Sequence, residues 1–209
     1  MTQAELEQSP FLTQPKQARS RQTVVAILEA AADLFATRGY DNVSTSDIAA
    51  HANKPVGSVY TYFRDKQQVL LAVWDTLYRQ EAEAALAELE LTPGVELRSV
   101  IEKAVARLFE RQTLYRRLSP TIAYVAAGDA EVAARVRDLN RTVLDRIYSF
   151  LRTLNDRGLA HIPDPEAAAL VLQVAAETLA GMGLPYTGQV SRERVRGALT
   201  EMIWRFVAA

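Results

Sequence analysis

Between positions 44 and 66 the chain concentrates side chains suited to phosphates and base edges. Seven hydroxyls stand there, on Ser44, Thr45, Ser46, Ser58, Tyr60, Thr61 and Tyr62, together with the ammonium groups of Lys54 and Lys66. Hydroxyls donate to or accept from phosphates and bases, and ammonium groups neutralise phosphates. Val56 and Gly57 are small, so a helix beginning with them can bring its end close to base edges in a major groove. This is recognition chemistry rather than bond-making chemistry.

The residues that would support catalysis are sparse. The chain has no cysteine, which excludes disulfides and thiolate metal sites, and only two histidines, His51 and His161. Those two are too far apart in sequence to form a helix-borne metal pair. His161 lies near Asp164, but no nucleophile motif accompanies them. Gly181-Met182-Gly183 lacks the third glycine and the preceding strand of a dinucleotide loop. No enzyme activity, metal or cofactor is expected.

Two short helices and a tight turn must carry the hydroxyl-rich stretch. Ser44 is a natural N-cap, with Asp47 in the acidic position of a capping box. Ile48, Ala49 and Ala52 form a small apolar face at helical spacing. Asn53 can take the left-handed conformation that ends a helix, and Pro55 suits the first turn of the next. Val59 and Phe63, four apart, face the core. That leaves Val56, Gly57, Ser58, Tyr60, Thr61 and Tyr62 outward. On spacing alone two readings stand. One is a helix-turn-helix whose second helix enters a major groove by its N-terminal end. The other is an ordinary pair of short core helices with solvated polar residues.

Gly39-Tyr40, Ser44-x-x-Asp47-Ile48-Ala49, Ala52, Gly57-Ser58-Val59-Tyr60-x-Tyr62-Phe63 and Lys66 together resemble the N-terminal domain of the TetR family of transcriptional regulators. The match runs from about Arg21 to Glu81. The resemblance implies that Ser44, Thr45 and Ser46 touch phosphates. It implies that Lys54, Pro55, Val56, Gly57, Ser58, Tyr60 and Thr61 face bases or the adjacent backbone, and that Tyr62 and Lys66 clamp phosphates. One segment departs from the family pattern. Asn53-Lys54-Pro55 replaces the usual glycine, apolar residue and serine. Lys54 thereby offers a cation to a phosphate, and Pro55 removes an N–H and a hydroxyl from the interface.

Charge fits a modest electrostatic footprint. The whole chain of 209 residues carries a net charge of −1. From Lys16 to Lys66 there are seven Lys/Arg against five Asp/Glu, a local +2. Binding would rest on a few placed cations and helix N-termini, repeated in a dimer. Residues 1–19 read as a flexible arm before a helix from Ser20, with Lys16 and Arg19 in the arm and Arg21 just past it. They could reach a minor groove or remain a solvated basic tail.

The rest reads as all-α, about nine helices in total. Residues 20–66 form a three-helix DNA-binding domain, and residues 67–209 a helical ligand-binding and dimerisation domain. The first long helix carries the stripe Val24, Ile27, Leu28, Ala31, Leu34 and Phe35. A connecting helix from Lys66 to about Leu91 is stiff enough to transmit a shift between domains. Asp164-Pro165 opens a penultimate helix that is apolar nearly all round, and Ser191 caps the last one. These two helices either fill the core or meet a second copy in a four-helix bundle; the resemblance favours the homodimer. The resemblance also implies a small-molecule pocket. Its candidate lining is Trp74, Tyr78, Phe109, Leu118, Ile122, Tyr148 and Met182, each equally suited to core packing.

Residues 1–14 lack the apolar run of a signal peptide, and Ala167–Leu184 is too short and interrupted to span a bilayer. A cytoplasmic location is expected. The composite expectation is a homodimeric repressor that binds a palindromic double-stranded DNA operator and is released by a small effector. The alternative is a helical ligand-binding or adaptor protein without specific DNA binding.

Overall fold

The structure is a computed structural model that describes residues 15, 17–92, 94–110, 113–181 and 190–208. The described residues contain nine α-helices and no strand. They are α1 (Ala18–Arg38), α2 (Thr45–His51), α3 (Val56–Tyr62), α4 (Lys66–Ala87), α5 (Leu97–Phe109), α6 (Thr113–Gly128), α7 (Ala130–Asp156), α8 (Pro165–Gly181) and α9 (Arg192–Ala208).

Local chemistry accounts for most boundaries. Helix α1 starts two residues before the expected Ser20. The Ser20 hydroxyl closes back on Gln17, accepting its N–H at 3.2 Å and donating to its carbonyl at 2.8 Å. Arg19 and Arg21 are therefore helical rather than part of an extended arm, and Lys16 lies outside the described residues. Gly39 (φ 79°) ends α1 in a conformation that a side chain would resist. Helix α8 begins as expected, with the Asp164 carboxylate accepting the Ala167 N–H at 3.0 Å and Pro165 at the first helical position. Ser191 likewise caps α9, accepting the Arg194 N–H at 3.3 Å. Helix α6 runs unbroken through Pro120, whose ring lies on an exposed side.

The described residues pack as two compact units. The first comprises residues up to Arg79 together with Thr113–Ala133; the second comprises the rest of the described chain. This division of packing differs from the linear one at residue 66. Helix α4 continues through the division, and α6, far along the chain, packs on α1. The core of the first unit holds Val24, Ile27, Leu34, Ile48, Val59, Phe63, Leu70 and Leu118. The α1 stripe read from spacing is buried throughout.

In the second unit Ile101, Val105, Leu151, Leu154, Ile162, Ala169 and Leu199 form the core. Asn155 clasps the α7–α8 connection, donating to the Ile162 carbonyl at 2.8 Å and accepting its N–H at 2.9 Å. Arg192 donates to the Phe109 carbonyl at 2.7 Å and the Ala180 carbonyl at 3.1 Å, placing a cation at the C-terminal ends of α5 and α8. Leu170, Val171 and Val174 on α8 and Met202 and Phe206 on α9 remain exposed. No helix among the described residues is long and apolar enough to cross a membrane.

Candidate DNA interface

The turn between α2 and α3 is built as its residues dictate. Ser44 caps α2: its hydroxyl accepts the Asp47 N–H at 3.1 Å and donates to the Asp47 carboxylate, while the Ser44 N–H reaches Asp47 Oδ2 at 2.8 Å. These bonds, the Ser44 hydroxyl foremost, hold the Asp47 carboxyl below its usual range. Asn53 takes φ 53°, the left-handed region that lets the chain reverse. Pro55 sits at the N-cap of α3, one position before the expected first turn, because its ψ of 144° is extended and helical geometry starts at Val56. Its carbonyl accepts the Ser58 N–H at 2.9 Å.

Val59 and Phe63 anchor α3 in the core with no exposed surface. The opposite side of α3 is open. Val56, Gly57, Tyr60 and Thr61 are exposed, and Ser58 and Tyr62 are half-buried. A methyl added at Gly57 would meet nothing within 4 Å, so packing within the protein does not require glycine there. Tyr60 is 52% exposed, and its hydroxyl shares a 2.8 Å hydrogen bond with the Thr45 hydroxyl, fixing α3 against the start of α2. Thr61 donates to the Gly57 carbonyl at 2.8 Å. Lys54 is half-buried and Ser46 exposed.

Lys66 begins α4 and reaches back to α1's end. Its ammonium donates to the Tyr40 carbonyl at 2.8 Å and lies 4.2 Å from the centre of the Tyr40 ring. Burial, followed by the charges of Asp65, Asp41 and Asp129, raises the Tyr40 phenol above its usual value. One Lys66 donor is thus committed within the protein; an ammonium has three. Ser44, Thr45, Tyr60 and Lys66 line one open depression of about 540 Å³, with Asp41, Asn42, Asp47, Arg64 and Asp65 among its other walls. Arg19 and Arg21 sit in the first turn of α1, exposed and half-buried. His51, at the end of α2, is exposed and also pairs with Asp33 of α1 at 3.1 Å.

The candidate pocket residues divide between the units. Trp74, Tyr78, Leu118 and Ile122 are buried in the first. There Trp74 stacks on Tyr115 at 4.8 Å, and Tyr78 lies 5.9 Å from Trp74 and 6.5 Å from Tyr115. Tyr115 was not among the candidates, since its pairing with α4 crosses a long stretch of chain. The buried Trp74 indole N–H has no hydrogen-bond partner among the described residues. Beside this cluster in sequence, the fully buried Asp75 carboxylate accepts from Arg79 at 3.1 Å. Phe109 and Tyr148 belong to the second unit: Phe109 lies under the Arg192 guanidinium at 5.0 Å, and Tyr148 lines a groove of about 490 Å³ between α7 and α8. Met182 lies outside the described residues.

Comparison with known proteins bears on what this interface is for. Residues 27–73, which span α2, α3 and their supports, match the family model of bacterial regulatory proteins, tetR family. The uncharacterized HTH-type transcriptional regulator YhgD of Bacillus subtilis (strain 168) is 25% identical over 147 residues, covering 70% of this chain and 76% of that protein. Over residues 27–73 the chain is thus similar to the DNA-binding region of tetR-family transcriptional regulators. That family is one of DNA-binding regulators, which favours the DNA reading of this interface over the adaptor one.

Solved structures share the fold over most of the chain. Salmonella enterica GusR matches with a TM-score of 0.73 at 20% identity, covering 95% of this chain and 99% of that one. A transcriptional regulator from Saccharomonospora viridis in complex with choline matches with a TM-score of 0.74 at 20% identity, covering 90% and 98%.

Proposed function

We propose that this chain is a homodimeric TetR-family repressor that binds a palindromic operator and is released by a small-molecule effector. The observation that carries the DNA reading is α3 itself. It is anchored on one side by Val59 and Phe63 and presents Val56, Gly57, Ser58, Tyr60 and Thr61 on the other. These residues read bases and the adjacent backbone. Pro55 and Lys54 flank the entry, with Lys54 on a phosphate. Ser46, Thr45, Tyr62 and Lys66 bind phosphates, and Arg19 and Arg21 approach the duplex from the first turn of α1. Ser44 positions α2 rather than adding a strong contact, since its hydroxyl is used in the cap.

A symmetric operator needs two readers about one helical turn apart, roughly 34 Å. The exposed apolar side chains of α8 and α9 support dimerisation there. Val171, Met202 and Phe206, with Pro163 and Ala167, line a groove of about 400 Å³ that a second copy would fill. For the effector, the aromatic group Trp74, Tyr78 and Tyr115 is the favoured centre, with Leu118 and Ile122 as apolar lining. The Trp74 N–H, without a partner among the described residues, suits an acceptor on the effector, and stacked aromatic faces suit a flat or cationic group. The choline held by the Saccharomonospora viridis regulator has that cationic character. Effector binding need only favour a dimer whose two α3 helices are wrongly spaced for the operator.

In vitro selection from a random DNA library with purified protein tests the reading. A palindromic motif is expected, with binding that weakens steeply as salt rises. Enrichment of no motif at moderate salt, or equal affinity for Tyr60→Ala, would refute it.

A further inference from the structure

Arg64 stands two residues beyond α3 and was not a candidate contact by sequence. It lines the same depression as Ser44, Thr45, Tyr60 and Lys66, and its side chain is 55% exposed. Its guanidinium is occupied from two sides. Nε donates to Asp65 at 3.0 Å, and an Nη2 hydrogen reaches Glu131 at 3.3 Å. The two carboxylates are held differently. Asp65 is fixed by α4, where it accepts the Gln68 N–H at 2.8 Å. Glu131 lies in the first turn of α7, 66% exposed, and its carboxylate meets Arg64 across a sequence separation of 67.

The corner that presents Glu131 is seated firmly. Asp129 caps α7 by accepting the Val132 N–H at 2.9 Å and also takes a hydrogen bond from the Gln67 side chain on α4. Glu131 therefore reaches Arg64 from a held position.

A guanidinium binds carboxylate and phosphate oxygens with the same fork of N–H donors. Exposed ion pairs are weakly held and exchange readily for another anion. We propose that Arg64 is a further phosphate contact of the DNA-reading unit, and that Glu131 is the internal carboxylate that occupies it when DNA is absent. Operator affinity thereby depends on the α6–α7 corner, because moving Glu131 changes how readily Arg64 is released. The proposal rests on the reading that this depression faces DNA.

The test is fluorescence anisotropy of the full-length protein on its selected operator across a series of salt concentrations. The proteins are the wild type, Arg64→Gln, Glu131→Gln, the double variant and Lys66→Ala, with Glu29→Gln, an exposed acid on α1, as a control for one lost negative charge. Arg64→Gln should weaken binding and lower the salt slope by about 0.9 per subunit. Glu131→Gln should tighten binding about two- to fivefold, more than Glu29→Gln does, as a pair this exposed allows. In the Arg64→Gln background that excess should vanish. An unchanged slope in Arg64→Gln, or a Glu131→Gln gain that survives there, overturns the proposal. If Lys66→Ala lowers the slope and Arg64→Gln does not, the interface stands and the Arg64 contact falls. If neither does, the placement of the interface falls with it.

Discussion

Replacing Val171 by Asp should dissociate the proposed homodimer without unfolding its subunits. Val171 lies mid-way along α8 with 63% of its surface exposed in the single chain. Full burial of a valine side chain is worth roughly 1.5–3 kcal/mol. Covering the part still exposed would then contribute roughly 1–2 kcal/mol per copy. A two-fold interface counts the residue twice, so roughly 2–4 kcal/mol is lost on removing it. That corresponds to a dimer dissociation constant raised about 30-fold to several hundredfold. The carboxylate adds a desolvation cost in the same direction, so this range is a lower bound. Sedimentation equilibrium over a concentration series reads the constant directly, with circular dichroism as the check on folding. Operator affinity should fall in parallel, because a lone subunit engages one half-site. A folded Val171→Asp protein that sediments as the wild-type dimer would show that α8 does not carry the interface, and the argument from exposed apolar surface would be wrong.

Other expectations follow from single contacts. Tyr60→Phe removes the hydroxyl that bonds Thr45 at 2.8 Å and should cost about 1 kcal/mol or less in stability while weakening operator binding measurably by anisotropy. An affinity loss no larger than the stability change explains would take the Tyr60 hydroxyl out of the interface. Arg192→Met leaves the Phe109 and Ala180 carbonyls without their shared cation and should destabilise the second unit by roughly 2–4 kcal/mol, read by hydrogen exchange at α5 and α8. Unchanged protection there would contradict it. Acid should destabilise the DNA-reading unit. Asp47 and Asp129 are held below the usual carboxylate range, by hydrogen bonds from Ser44 and from the Val132 N–H respectively. A depressed folded-state value gives stability that is present above the unfolded value of about 3.9 and is lost as pH falls through the folded value. Urea midpoints should therefore drop below about pH 4, and the combined Asp47→Asn and Asp129→Asn substitutions should flatten that drop. An equal drop in the double variant would place the acid sensitivity elsewhere.

Much of the first unit was legible because its determinants are local. The apolar spacing of α1, the Ser44–Asp47 box, the left-handed Asn53 and the inward pair Val59 and Phe63 each act within one helical turn, and all are found in the structure. Misplacements arose where two local signals competed. The helix was expected from Ser20, but Ser20 stands at its third position and closes on Gln17, which draws Arg19 into α1. Pro55 fits the first turn by φ, but its extended ψ makes it the cap.

By itself, then, the sequence determined an all-α chain, the two short helices of the turn with the Ser44 cap of the first, and the side chains turned outward on α3. Periodicity and capping are properties of neighbours along the chain, so they survive without knowledge of what packs where. The tertiary structure alone decided that α6 joins the DNA-reading unit, that Tyr115 completes the stack with Trp74 and Tyr78, and that Lys66 folds onto the Tyr40 carbonyl. It also decided that His51 meets Asp33 and that Arg64 meets Glu131. Each of these pairs residues separated by many helical turns or by whole helices. No spacing rule reaches that far, because such contacts are set by how helices cross in space and not by their order in the chain.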